Sequence, residues 1–246
     1  RMIEMFFRPF FSGIFLENKL ETSSKFFKYV FSTFNTGLAS LPNEGMQSIP
    51  NDLLKRIDSG QVLFDKRVTK IDQEKNVYFE DGSSLSTENV VLTGGNTNIL
   101  DESPKKYNSA KTIYLCSKVS PLKGEYIHLY PCDEIINNIA IPTSISNLYS
   151  KSGDHLFSVT VIDNGMSKID LIDSIQRKLS DYYGGAKGDY EYLKYLEIKK
   201  GTLKQMPGHF DGSVTNENGI IYSGESQING SIEGAVISGI EAANLI

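Results

Sequence analysis

A short apolar run, Ile220-Ile221-Tyr222-Ser223, ends on Gly224-Glu225, and after a brief loop a stretch built on small residues begins at Asn229. No other stretch of the chain restricts its fold as strongly. The apolar run reads as a strand. Residues 229–246 read as a helix in which Gly230, Gly234, Ala235, Gly239, Ala242 and Ala243 make a face that another backbone or a flat ligand can approach closely. The start of such a helix offers N–H groups without intrahelical acceptors and a partial positive charge. A carboxylate at the end of the preceding strand can accept hydrogen bonds from sugar-like hydroxyls. The combination suits a cofactor with both a polyol chain and an electron-rich ring edge.

Further upstream, a helix is expected over about 47–57, with Ile49, Leu53, Leu54 and Ile57 on one face, Pro50 in its first turn and Gly60 as its stop. Strands are expected at 62–64, 68–71, 76–80 and, buried, at 89–93, with Asp81-Gly82 as a turn and Gly94-Gly95 ending the last. Between about 100 and 200 the strand candidates are 112–116, 126–130, 135–140, 156–161 and 190–198. A helix over 167–183 carries Ile169, Ile172, Ile175 and Leu179 in one stripe and stops at Gly184-Gly185. Strands and one amphipathic helix in this middle region suggest a mixed sheet with a helix packed on it.

Nine of the 13 phenylalanines fall within the first 34 residues, from Phe6 to Phe34. They read either as core or interface, or as the lining of an apolar substrate pocket. The remaining composition is that of an ordinary globular chain: 246 residues, 39% hydrophobic and 22% charged. A net charge of -5 argues against nucleic acid as a partner. Cys116 and Cys132 allow one bridge at most, so a reducing, cytoplasmic compartment is expected. The apolar stretch 2–16 is broken by Glu4, Arg8, Pro9 and Gly13 and falls short of the ~20 residues of a spanning helix, which leaves peripheral membrane contact open. His128, His155 and His209 share no metal-like spacing, and no metal site is expected. Asn229-Gly230-Ser231 is formally a glycosylation acceptor. No side chain stands out as catalytic.

The tail resembles the C-terminal flavin-binding motif of the flavin amine oxidase and phytoene desaturase superfamily. That motif has Gly-Asp or Gly-Glu, a short loop, and a GS-x-x-GA-x-x-SG helix followed by alanines. Here it reads Gly224-Glu225, then Ser231-Ile232-Glu233-Gly234-Ala235-Val236-Ile237-Ser238-Gly239, then Ala242-Ala243. The resemblance implies FAD as cofactor, with Glu225 on its ribityl chain and the backbone around Ser231 and Ile232 aimed at the pyrimidine edge of the flavin. Gly224, Glu233 and Gly234 belong to the same set. The segment 37–50, with Gly45-Met46, resembles the family's "GM" segment, and 62–71 resembles the strand pair in which a backbone group near Val68 meets the adenine. Gln205-Met206-Pro207 stands where the family has a stretch near the flavin face. Arg8-Pro9-Phe10-Phe11 and Gly13-Ile14-Phe15-Leu16 resemble a branch akin to phytoene desaturases.

The family also opens with a strand, a G-x-G-x-x-G turn and a helix that holds the pyrophosphate. Nothing here matches: Gly184-Gly185-Ala186-Lys187-Gly188 follows a helix, and Thr93-Gly94-Gly95 lacks the third glycine. The chain is therefore expected to be the C-terminal portion of a longer enzyme, its N-terminal half missing and the portion alone inactive. Apolar side chains should then lie exposed beside the 62–95 strands and on the last helix. The expected fold is α/β (α+β mixed): a partial Rossmann-like FAD-binding domain and a mixed-sheet substrate domain with packed helices. The expected domains are a Phe-rich substrate segment at 1–36, FAD-binding parts at 37–100 and 200–246, and a substrate-binding domain at 101–199. The expected activity is hydride removal from a C–H bond of an apolar small molecule, as in phytoene desaturases. The alternatives are an amine oxidase acting on a C–N bond and, in another class, a non-catalytic paralogue that binds a lipid or a protein.

Overall fold

The computed structural model describes residues 1–34, 36–58, 61–94, 106–121, 124–162, 165–208 and 212–246. Its helices are α1 (Arg8–Phe15), α2 (Ser24–Thr33), α3 (Ser48–Leu54), α4 (Lys168–Tyr183) and α5 (Ile232–Ala243). Its strands are β1 (Val68–Ile71), β2 (Asn76–Phe79), β3 (Ser84–Ser86), β4 (Val90–Thr93), β5 (Tyr107–Ser117), β6 (His128–Leu129), β7 (Asn138–Ala140), β8 (His155–Val161), β9 (Glu191–Leu203), β10 (Thr215–Glu217) and β11 (Ile220–Ser223). The fold is mixed α/β, and the chain divides into two compact units: 1–21, 38–54 and 108–202 form one, and 22–37, 55–107 and 203–246 form the other. The Gly60 and Gly95 positions of the sequence pattern lie outside the described residues.

The first unit is built on a sheet in the order β6-β7-β8-β5-β9. Alternate residues of β5 and β8 point inward, and the antiparallel register sets Ile113 opposite Val159 and Leu115 opposite Phe157. All four are fully buried and meet Leu171, Ile175 and Leu179 of α4 in one core. The buried stripe of α4 thus passes through Leu171, and Ile169, expected inside, is 80% exposed. Ser167 caps the helix, its Oγ accepting the Asp170 N–H at 3.2 Å. The strand expected over 135–140 shortens to β7 because Asp133 Oδ1 accepts the N–H groups of Ile135 and Ile136, at 2.7 and 2.9 Å, and turns that segment away from the sheet.

The second unit holds an antiparallel meander β1-β2-β3 and a sheet in the order β10-β11-β4, with β11 antiparallel to β10 and parallel to β4. The expected strand at 62–64 does not form; Leu63 and Phe64 are exposed and find no sheet partner among the described residues. Exposed apolar side chains do lie beside these strands and on α5: Leu85, Val91, Ile232, Val236 and Ile240.

The phenylalanines pack largely on one another along their own helices. Rings at helical spacing meet at 6.2 Å for Phe7–Phe11, 5.5 Å for Phe11–Phe15 and 5.9 Å for Phe27–Phe31. Phe11 and Phe15 are buried in the first unit and Phe26 in the second. The unit boundaries differ from those expected at 36/37. Residues 22–37 join the second unit, where Ser23 N–H reaches Gln205 O at 2.8 Å and the Tyr29 hydroxyl bonds Glu233. Residues 38–50 of the GM segment join the first, where Pro42 O accepts the Tyr149 hydroxyl at 2.7 Å.

Candidate functional site

The end of β11 is tied to the middle of α5 by one side chain. Ser238, fully buried on α5, accepts the Gly224 N–H at 2.8 Å and the Ser223 hydroxyl at 3.2 Å, and donates to Ala235 O at 2.8 Å. Gly224 has φ +112°, and a Cβ there would stand 3.0 Å from Gly94 N, the residue after β4. The strand end therefore runs tight against its parallel neighbour before it releases Glu225.

The loop into α5 is equally constrained. Gln205 Oε1 accepts the Gly230 N–H at 2.8 Å, and the Ser231 hydroxyl donates to Asn229 Oδ1 at 2.5 Å. Ser231 is the N-cap, its Oγ accepting the Gly234 N–H at 2.9 Å. Gly234 permits the loop to close, since a Cβ there would fall 2.3 Å from Asn229 O. Asn229 is buried, which leaves the glycosylation pattern without an accessible amide in the folded chain. The N–H groups of Ile232 and Glu233 have no acceptor among the described residues. Helix starts of this kind attract electron-rich groups.

Glu225 lies at the mouth of this arrangement. It is half-buried, burial pushes its carboxyl above the usual glutamate range, and among the described residues it has no hydrogen-bond or ion-pair partner. A desolvated carboxylate without donors is costly, and a polyol would supply them. Burial, and after it the Glu225 charge, also pushes the Tyr107 hydroxyl up. Gln205 Nε2 is a second orphan, a buried donor without an acceptor.

An open cleft of about 690 Å³ begins nearby. Val68, Ile71, Val77 and Leu85 of the meander form one wall and all four residues of β4 the other. Thr93, the last of them, pairs with Ser223. The structure thus sets Gly224 and Glu225 at the end of β11, Ser231, Ile232, Glu233 and Gly234 at the start of α5, and Val68 on the wall of the cleft beside β4. The Glu233 carboxylate accepts the Tyr29 hydroxyl, whose pKa is raised first by burial and then by that bond. Ser238 stands in the sequence motif without an assigned role, and Tyr29 carries no sequence signal. Ser238 follows Gly234 by four positions, a spacing that marks one helix face.

Among the described residues no group of His, Cys, Asp or Glu is placed to hold a metal. His128 instead shares a hydrogen bond with Tyr183, which also accepts the Tyr130 hydroxyl at 2.9 Å. His209 lies outside the described residues.

A family model for flavin containing amine oxidoreductases matches residues 1–246. The chain belongs to that family. The fold is shared with an oxidoreductase from Methanosarcina mazei, at 17% identity and a TM-score of 0.75, over 99% of this chain and 64% of that one. A reduced UDP-galactopyranose mutase matches at 13% identity and a TM-score of 0.64, over 85% of this chain and 55% of that one. The chain thus spans less than two thirds of either structure's length. A comparison with curated protein sequences finds no match. The family's cofactor is FAD, and the residues here fit it: an unpaired carboxylate for the ribityl hydroxyls and free N–H groups for a ring edge. No helix among the described residues is long and apolar enough to cross a membrane.

Proposed function

We propose that this chain serves an FAD-dependent oxidoreductase that removes a hydride from a C–H bond of an apolar small molecule. The observation that carries the reading is Glu225, half-buried and without a hydrogen-bond or ion-pair partner among the described residues, at the end of the strand that precedes α5 and its free first-turn N–H groups. When bound, FAD supplies the hydride acceptor. The chain's residues would bind and orient it: Glu225 would accept from the ribityl hydroxyls and the cleft past Val68 would take the adenine end. Of the backbone expected to meet the pyrimidine edge, the Ser231 N–H is taken by Asn229 O at 2.8 Å, which leaves the amides of Ile232 and its neighbour Glu233 for that edge. Negative charge gathers at the pyrimidine edge on reduction, and the helix start stabilises it there.

Desaturation of a C–C bond is the first form of this reading, after the likeness of residues 8–16 to phytoene desaturases. Oxidation of a C–N bond is the second, favoured by glutamate at position 225, which the resemblance associates with amine oxidases. Two free thiols, Cys116 and Cys132, agree with a reducing, cytoplasmic setting. The intact protein, purified and loaded with FAD, should lose its visible flavin absorbance when an oxidisable substrate is added without oxygen. Bleaching by cyclic or polyene hydrocarbons and not by amines supports desaturation, and the reverse supports amine oxidation. A protein that takes up no FAD overturns both.

A further inference from the structure

The first unit contains a cavity of about 210 Å³. Its walls include Leu41 from the GM segment, Tyr126 and Ile127 before β6, and Ile141 and Ile145 after β7. The polar side chains among its lining residues are Ser40, Glu125 and Tyr126. Two bonds hold the walls in place: Tyr149 donates its hydroxyl to Pro42 O at 2.7 Å, and Ser146 donates to Asn43 O at 3.1 Å. Gly124 lets its segment pack tightly on Ser144, since a Cβ there would fall 2.1 Å from Ser144 Oγ. Tyr126, Ile127 and Ile145 remain 61%, 56% and 50% exposed. Apolar side chains held open to water around a preformed cavity gain by covering.

We infer that this cavity is a binding site for a ring-sized hydrocarbon group of a small-molecule ligand. An apolar cavity of about 150 Å³ holds benzene. One of about 210 Å³ holds a substituted six-membered ring or a branched unit of similar bulk. The described lining residues include no cation, and their side chains offer one carboxylate and two hydroxyls, which give a charged or sugar-like group little to pair with. As the place where the substrate's apolar part rests, the site depends on the oxidoreductase reading; as a hydrocarbon site it does not.

The test uses the intact, FAD-loaded protein with isoleucine methyl labelling and methylcyclohexane as probe. Saturable shifts of the Ile127, Ile141 and Ile145 methyl signals are expected. Ala140→Leu, which fills the cavity, should abolish them, and Ile145→Asn, at a half-exposed position that tolerates a polar residue, should weaken binding at least tenfold. Absence of saturable shifts in a folded, FAD-loaded protein overturns the site and leaves the flavin reading intact. Shifts that persist unchanged in folded Ala140→Leu or Ile145→Asn also overturn it. Hydrocarbon binding by a protein that takes up no FAD would support the site and overturn the oxidoreductase reading instead.

Discussion

Ser238 Oγ accepts the N–H of Gly224 at 2.8 Å, joining the middle of α5 to the last turn of chain before Glu225. The contact is buried, with Ser238 fully inside. It sets where the strand ends relative to the helix start, and so where a carboxylate and a row of free amides stand relative to each other. Ser238→Ala leaves the Gly224 N–H and the Ser223 hydroxyl without this partner in a dry site. The expected cost is about 1–3 kcal/mol, read as a lower urea midpoint with an unchanged slope. FAD affinity should fall with it, because the two halves of the site lose their common anchor. A variant as stable as the parent would show that the contact holds nothing.

Glu225 should affect stability and binding in opposite directions. Its carboxyl is pushed up by burial, so the folded protein holds this proton more tightly than the unfolded chain. Stability from this group is therefore greatest below the ordinary glutamate pKa of about 4.3 and declines as pH rises through the higher folded value. Glu225→Gln removes that penalty, and the FAD-free protein should unfold later than the parent at neutral pH. A charge-assisted bond to a ribityl hydroxyl is worth roughly 1.5–3 kcal/mol. Glu225→Ala should accordingly weaken FAD binding by about one to two powers of ten. Titration of both apoproteins with FAD, followed by flavin fluorescence, checks this. Equal dissociation constants in folded proteins would remove Glu225 from the site.

The tail was legible because its constraints are local. Strand, Gly-acid pair and small-residue helix follow one another in sequence, and each residue type has a physical reason to be there. The inner face of α5 was harder. Gly234, Ser238 and Ala242 are buried at spacings of four, whereas Ala235, Gly239 and Ala243 are exposed. Small size alone does not distinguish the two sets, and the motif position of Ser238 does not reveal its three hydrogen bonds. Val68 could be linked to the tail only through the resemblance, since the cleft is lined by residues 66–93 and β4 meets the tail by pairing with β11 across more than a hundred residues. Of the two readings of the phenylalanines, packing fits the structure. Dense aromatic sequence at helical spacing looks like a pocket lining, but rings four apart on a helix satisfy one another first.

Two glycines on α5 should respond oppositely to the same substitution. At Gly234 a Cβ would meet Asn229 O at 2.3 Å, an atom of the backbone that cannot rotate away. Gly234→Ala should destabilise the protein by about 1–3 kcal/mol and loosen the loop that presents the Ile232 amide. At Gly239 nothing lies within 4 Å of the added atom. Gly239→Ala should stabilise by up to about 1 kcal/mol through helix propensity. Thermal melts of the two variants, measured side by side, test the placement of the helix. Equal shifts would show that α5 is rotated from the position described.

The Asp133 cluster gives a test of the first unit that does not depend on flavin. The Asp133 side chain is 2% exposed and takes Lys178 Nζ at 2.7 Å, the Tyr182 hydroxyl and two backbone N–H groups. Burial pushes its pKa up, but Lys178, Tyr182 and the Ile136 and Ile135 amides together hold it below the usual aspartate range. The folded protein therefore binds fewer protons here than the unfolded chain. The stability this provides is complete above the ordinary aspartate pKa of about 3.9 and is lost as pH falls through the lower folded value. Lys178→Met removes the countercharge and leaves the carboxylate buried. Its expected cost is about 1.5–3 kcal/mol at neutral pH, and its acid unfolding should begin at a higher pH than that of the parent, because the remaining donors hold the proton off less strongly. Urea unfolding at neutral pH and an acid titration followed by circular dichroism measure the two effects. A neutral-pH loss without a shift of the acid transition would mean that Lys178 acts through its packing and not through Asp133.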